Sequence, residues 1–132
     1  RGTLRSDGTR NIMSGMDRTG VRRFISLSTI GIRNTTNMLP PLYRYLLIPL
    51  ILKHAFADHA RQEEFIEQSK LDWTIVRPAA LTDGPHTGNY KYGFAVTEKK
   101  LKLKISRADV AEFVLKQLGD KTFIHKMPGL SY

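Results

Sequence analysis

Ser69 to Pro85, SKLDWTIVRPAALTDGP, is the stretch on which the fold turns. Trp73 to Val76 combine aromatic and β-branched side chains without alternation, Asp72 opens the run and Pro78 ends regular pairing, which predicts a short strand buried on both faces. Such a strand needs cover on both sides, the arrangement of a parallel sheet flanked by helices. In those sheets ligands bind in the crevice beyond the carboxyl ends of the strands, which makes Arg77 to Leu81 crevice residues. Taken alone, the same run also fits a core strand whose Arg77 snorkels to solvent.

The rest of the chain repeats this grammar. Val21 to Thr29, VRRFISLST, is a second strand candidate that ends in the hydroxyl pair Ser28 and Thr29 before Gly31. A helical segment precedes it, with Ser6 or Asp7 as N-cap, Ile12, Met13 and Met16 on one face and Gly20 at its stop. A longer helix ends in DHARQEEFIEQS, Asp58 to Ser69, where Glu63, Glu64 and Glu67 read as a solvated acidic turn. Ser106 and Asp109 form a capping-box pattern ahead of Val110, Phe113, Val114 and Leu118, with Gly119 after them. Thr122 to Met127 is a final strand candidate. With a hairpin after the second strand, the order is α-β-α-β-hairpin-α-β, the pattern of parallel crossovers.

The 132 residues suffice for one core. They contain no cysteine, which excludes disulfides and thiolate chemistry and is compatible with a cytoplasmic setting. The chain opens Arg1-Gly2-Thr3 without Met, so its true start is expected upstream. His54, His59, His86 and His125 lack metal-ligand spacing, and no metal site is expected.

The net charge is +9, and much of the excess lies between Lys91 and Arg107. In TEKKLKLKISR, Lys100, Lys102 and Lys104 alternate with Leu101, Leu103 and Ile105, so one strand face is apolar and the other cationic. Stacking aromatics and arginines are too few for nucleic-acid binding. Lysines guarding an edge strand, or attracting a cofactor phosphate or an anionic substrate, are the readings left open.

Pro40 to Phe56, PPLYRYLLIPLILKHAF, is apolar on nearly every side, yet Pro49 interrupts it and it falls short of the roughly 20 residues that span a bilayer. It is expected to be a helix kinked at Pro49, or a new helix with Pro49 in its first turn. Burial within the domain or under a second copy of the chain is the expectation; a lid over an apolar substrate and a membrane-surface contact are alternatives.

GTRNIMSGMDRTGVRRFISLSTIG (8–31), DHARQEEFIEQSKLDWTIVRPAALTDGPHTGNY (58–90) and ISRADVAEFVLKQL (105–118) together resemble the carboxyl-terminal part of an atypical short-chain dehydrogenase/reductase. The likeness is greatest to the NmrA-like NAD(P)H-binding group, which includes flavin reductases of the biliverdin reductase B type. It implies an α/β fold: the second half of a doubly wound, Rossmann-like parallel sheet, with residues 1–132 forming the carboxyl-terminal part of a single NAD(P)-binding domain. The first strands and their Gly-rich phosphate turn are absent from the sequence, and no Gly-x-x-Gly-x-x-Gly occurs in it. The missing amino-terminal half is accordingly an expected partner.

The resemblance places Leu27, Ser28 and Thr29 along the nicotinamide side of the cofactor, NADP or NAD, with Thr29 at the position of the usual catalytic hydroxyl. It places Arg77, Pro78, Ala79, Ala80 and Leu81 in the loop that closes over nicotinamide and ribose. Ala80 stands where biliverdin reductase B-type enzymes carry a histidine. The Tyr-x-x-x-Lys dyad of the superfamily is also absent, because Leu47 and Pro49 follow Tyr43 and Tyr45 at that spacing. The implied activity is hydride transfer to a flavin, quinone or tetrapyrrole, which demands mainly positioning. A non-catalytic dinucleotide sensor is the alternative, and the chain alone is expected to be inactive.

Overall fold

The computed structural model describes residues 3–132. In chain order the elements are α1 (Leu4–Thr19), β1 (Arg23–Leu27), a 3-10 helix (Arg33–Met38), a π-wound helix (Tyr43–Leu52), α2 (Lys53–Glu67), β2 (Asp72–Pro78), β3 (Ala80–Thr82), β4 (Lys91–Tyr92), β5 (Lys104–Ser106), α3 (Arg107–Gln117) and β6 (Gly129–Ser131). The two apolar runs pair in parallel as neighbours, with Phe24 opposite Trp73, Ser26 opposite Ile75 and Leu27 opposite Val76. The strand order is β1-β2-β6-β4, with β6 parallel to β2 and β4 antiparallel to β6. This parallel-dominated sheet is the Rossmann-like arrangement expected from the sequence.

Alternation along β2 divides the core in two. On one face Trp73 and Ile75 pack with Ile66 of α2, bordered by Met13, Phe24 and Met127. On the other, Val76 packs with Ile105, Leu130 and the α3 residues Val110 and Phe113. Each such side chain contributes about 1.5–3 kcal/mol on full burial, so the unbroken apolar run of β2 reflects the helices on its two sides.

The face of α2 toward the sheet is largely polar, and the reading of a solvated acidic turn holds for Glu64 and Glu67, which are exposed, and is corrected for Glu63. Asp58, Gln62, Glu63 and Ile66 are its buried residues. Asp58 accepts hydrogen bonds from the N–H groups of Arg5 (2.8 Å) and Ser6 (3.1 Å) and from Ser6 Oγ (2.6 Å). It thereby caps α1 from another helix, at the end where the helix dipole favours an anion. The cap expected from Ser6 or Asp7 is corrected: the helix starts at Leu4 and Thr3 makes no side-chain cap. Gln62 Nε2 donates to Thr9 Oγ1 (3.0 Å) and Ser26 Oγ (2.8 Å), joining α1, α2 and β1. Gly20, at φ 75°, ends α1 as predicted.

Glu63 receives Arg77. The guanidinium donates from Nε to Oε2 (2.9 Å) and from NH2 to Oε1 (2.6 Å), and its NH1 donates to Asn34 Oδ1 (2.7 Å). Both side chains are enclosed, at 2% and 0% exposure. Neither charge is tolerable there without the other, and the planar fork satisfies both carboxylate oxygens. Arg77 does not snorkel to solvent, because its partner lies inside.

Three further readings are corrected. No hairpin follows β2; β3 instead pairs in parallel with β5, Ala80 opposite Lys104. The final strand lies at Gly129–Ser131 rather than Thr122 to Met127, although Lys126 already bridges Thr74. Turn geometry around Thr122 and His125, the latter at φ 61°, postpones regular pairing. In the Pro40 to Phe56 segment, Pro49 falls inside a helix rather than in the first turn of a new one. The helix widens to π winding across Tyr43–Leu52, which accommodates Pro49, a residue with no N–H to donate, and runs directly into α2. No residue of Tyr43–Leu52 is buried, so the expected enclosure within the domain is absent. In α3, Ser106 caps as predicted by accepting from Asp109 N–H (3.1 Å), whereas Leu118 is exposed.

Two stability measurements follow from these contacts. Glu63→Gln leaves the Arg77 charge enclosed without its carboxylate and is expected to lower unfolding free energy by about 3 kcal/mol in urea titration. The double variant Glu63→Leu/Arg77→Met should lose clearly less than the sum of the single changes; strict additivity would show that the two side chains are not coupled.

Asp109 carries the second. Burial would raise its pKa, but hydrogen bonds from Tyr132 and Thr87 and from the N–H groups of Gly88 and Thr87 outweigh burial and hold it well below the usual carboxylate range. A depressed folded pKa contributes stability that is complete above the unfolded value, near pH 4, and is lost as pH falls below it. The unfolding midpoint should therefore drop between about pH 4 and pH 2. Asp109→Asn should be less stable at neutral pH and show a flatter acid limb; an unchanged acid limb would refute this assignment.

Candidate functional site at the carboxyl ends of β1 and β2

The pairing of β1 and β2 continues past their formal ends. Ser28 N–H donates to Val76 O (2.8 Å) and Ile30 N–H to Pro78 O (3.1 Å), while Ala80 N–H donates to Leu103 O (3.2 Å). These bonds carry Thr29, Ala79 and Ala80 to one edge of the sheet. There, with Ile30, Lys102 and Leu103, they line a cavity of about 360 Å³. Leu39, Pro40, Tyr43 and Leu52, from the chain between β1 and α2, and Phe56 of α2 form the far wall.

Two backbone features shape this space. Gly31 sits at φ 110°, and a Cβ there would lie 2.3 Å from Leu39 Cδ1, so glycine alone lets the far wall close against the sheet. Leu103 is held at φ 56°, a left-handed conformation that costs of order 1–3 kcal/mol for a residue with a Cβ. That turn sets Leu103 and Lys102 together on the cavity wall.

The lining is mainly hydrocarbon, with three polar side chains: the Thr29 hydroxyl, the Tyr43 phenol and the Lys102 ammonium. Thr29 Oγ1 donates to Ile30 O (3.0 Å), which leaves its lone pairs free to accept. A flat, partly polar ring such as nicotinamide suits this donor and acceptor set, with apolar walls for its faces and Thr29 for its amide N–H. The volume lies near the lower end of the roughly 300–1,000 Å³ of ligand pockets, enough for the ring end of a dinucleotide and not for the whole.

The residues singled out from the sequence separate into groups. Thr29, Ala79 and Ala80 converge on the cavity. Ser28 is enclosed, and its Oγ has no hydrogen-bond partner among the described residues. Leu27 and Leu81 are 45% and 44% exposed and do not line the cavity. Pro78 contributes the carbonyl that receives Ile30 N–H. The Arg77 side chain points to the α2 face, where it borders a second cavity of about 290 Å³ with Ile30, Asn34 and Met38. Among the described residues, no cluster of histidine, cysteine or acidic side chains is placed to hold a metal.

Tyr43 and Phe56 belong to the segment for which a lid over an apolar substrate is one reading, and Lys102 to the lysines read as attracting a phosphate or an anionic substrate, but the sequence singles out none of the three as a site residue. Tyr43 fails the four-residue spacing to a lysine, and the cavity supplies an ammonium from a distant segment instead. The apolar excess of Pro40 to Phe56 was the available signal for the far wall.

The fold recurs in known proteins. A UPF0659 protein of Schizosaccharomyces pombe is 30% identical over 127 residues, covering 90% of this chain and 50% of its own length. A wide-type short-chain dehydrogenase/reductase of Veillonella parvula, solved with NADP, superposes with a TM-score of 0.80 at 18% identity, covering 96% of this chain and 58% of that one. An anaerobillin reductase of Escherichia coli, ChuY, gives a TM-score of 0.78 at 20% identity over 97% and 58% of the two chains. The chain spans about half the length, or less, of the curated relatives it matches. With the model of the NAD(P)H-binding family matching residues 1–121, the chain belongs to that family.

Proposed function

We propose that the chain forms the nicotinamide and substrate side of an NAD(P)H-dependent oxidoreductase of the NmrA-like type, acting on a conjugated acceptor such as a flavin, quinone or tetrapyrrole. The observation that carries this reading is the convergence of Thr29, Ala79, Ala80 and Lys102 on one largely apolar cavity at the carboxyl ends of two parallel strands. The bound nicotinamide would supply a hydride. Thr29 orients the carboxamide, Ala79 and Ala80 allow close approach of a ring, and the apolar wall from Leu39 to Phe56 excludes water.

Lys102 offsets negative charge that develops on the acceptor, as a fixed cation does in a site of low polarity. The Tyr43 phenol and solvent at the mouth are the proton sources. In this reading a Gly-rich turn outside these 132 residues holds the pyrophosphate, and Arg77 acts through position, anchoring the loop at Pro78 to Leu81 by its bond to Glu63. Binding without turnover would favour the dinucleotide-sensor alternative.

Calorimetric titration with NADPH tests the division of labour. Each missing charge-assisted hydrogen bond to the pyrophosphate is worth about 1.5–3 kcal/mol, so the 132-residue chain should bind NADPH only at millimolar level and show no flavin-dependent oxidation. Micromolar binding by the chain alone would overturn the reading. The longer chain with its upstream residues should bind the dinucleotide, and Ala80→Trp, which fills the cavity, should lower its turnover by about two orders of magnitude with folding intact.

A further inference from the structure

Beside the cavity lies a second basin of about 490 Å³, lined by Thr87, Asn89, Tyr90, Lys91, Lys100, Lys102 and Tyr132. It bears three ammonium groups and no carboxylate. Lys102 lines both spaces, so the cationic basin and the apolar cavity meet at one side chain.

The acidic residues nearby are committed elsewhere. Tyr132 donates to Asp109 Oδ2 (2.5 Å), Thr87 Oγ1 donates to the same oxygen (2.7 Å), and Tyr90 donates to Glu112 Oε1 (3.0 Å). Asp109 and Glu112 thus sit behind the wall and hold its hydroxyls, leaving the lysines as the donors that face the space. Glu98, the remaining acid in this region, accepts from Lys100 N–H (2.8 Å). Among the described residues, Lys91, Lys100 and Lys102 form no ion pair. Lys91 Nζ donates to Lys100 O (2.6 Å), which draws the two chain segments of the basin together and leaves further Nζ protons free.

Guarding of an edge strand accounts for Lys91, in the edge strand β4, but not for Lys100 and Lys102. Strand β5 begins at Lys104, so Lys100 and Lys102 precede it and have no edge to guard. Lys102 is instead fixed by its own N–H, which donates to Tyr132 O (2.7 Å), and by the left-handed turn at Leu103. Three ammonium groups against the single nearby carboxylate of Glu98 leave an excess of positive charge, which attracts a multivalent anion.

We propose that the Lys91, Lys100 and Lys102 basin binds an anionic group, phosphate or carboxylate, carried by the acceptor whose ring stacks against the nicotinamide in the adjacent cavity. This assignment rests on the proposed function for the ring and is independent of it for the anion. It makes Lys91 and Lys100 specificity-determining residues and selects a planar acceptor with an acidic side arm over its neutral analogue.

The test uses three probes on the 132-residue chain. Inorganic pyrophosphate, followed by amide chemical shifts, should produce saturating changes at Lys91, Lys100, Lys102 and Tyr132; absence of saturation there overturns the proposal. Flavin mononucleotide and riboflavin share one ring system and differ by a phosphate. The phosphorylated form should bind about tenfold more tightly, roughly the value of one charge-assisted hydrogen bond. Lys91→Gln/Lys100→Gln should reduce that preference to about twofold while leaving riboflavin affinity unchanged.

Equal affinity of the two flavins with pyrophosphate saturating would overturn the assignment to the acceptor. Saturation by 2′,5′-ADP in place of any flavin preference would transfer the lysines to the cofactor and likewise overturn it. Saturation by pyrophosphate with neither flavin entering the cavity would sink the reading of the ring site and leave the anion site standing.

Discussion

The ion pair between Arg77 and Glu63 is the constraint on which the rest of this molecule depends. It joins the central strand to the crossover helix inside the protein, where removal of Glu63 strands the Arg77 charge and removal of Arg77 leaves the enclosed Glu63 to the longer Arg33 contact (3.3 Å). Because Arg77 immediately precedes Pro78, Ala79 and Ala80, the bond also sets where the chain leaves the sheet. The wall formed by Ala79 and Ala80 is therefore placed by a contact made two residues earlier in β2.

The pair belongs to a longer polar seam along α2. Asp58 caps α1, Gln62 bridges α1 and β1, and Glu63 grips β2, so one helix face organises three neighbours through directed bonds. Hydrophobic burial around Ile66, Trp73 and Ile75 supplies the bulk driving force, but it is not directional. The seam supplies the register between helix and sheet, since each buried polar group demands one particular partner.

The cavity shows a different economy of structure. Its sheet side rests on ordinary strand geometry, whereas its outer side uses departures from regular backbone: Gly31 at positive φ, Leu103 in a left-handed turn and π winding past Pro49. Such departures persist where the surrounding structure holds them, and here they border the space that takes the ligand in the proposed function. The π-wound segment presents Tyr45, Leu50 and Ile51 at over 70% exposure.

Local chemistry determined much of the outcome. The unbroken apolar run at Trp73 to Val76, its partner at Phe24 to Leu27, the stop at Gly20 and the cap at Ser106 were legible because each depends on residues within a turn or on a period of two or 3.6. The parallel sheet follows from them, and so does the meeting of Thr29 with Ala79 and Ala80 at one sheet edge. What only the tertiary structure decided involves partners far apart in sequence: Asp58 at the start of α1, Glu63 against Arg77, the shift of the final strand to Gly129–Ser131, and Lys102 shared by two cavities. A charged side chain at an exposed-looking position carries no local mark of its eventual partner. Burial of Glu63 was invisible in the helix that contains it because the compensating charge lies on another element, and only the fold brings the two within 2.6 Å.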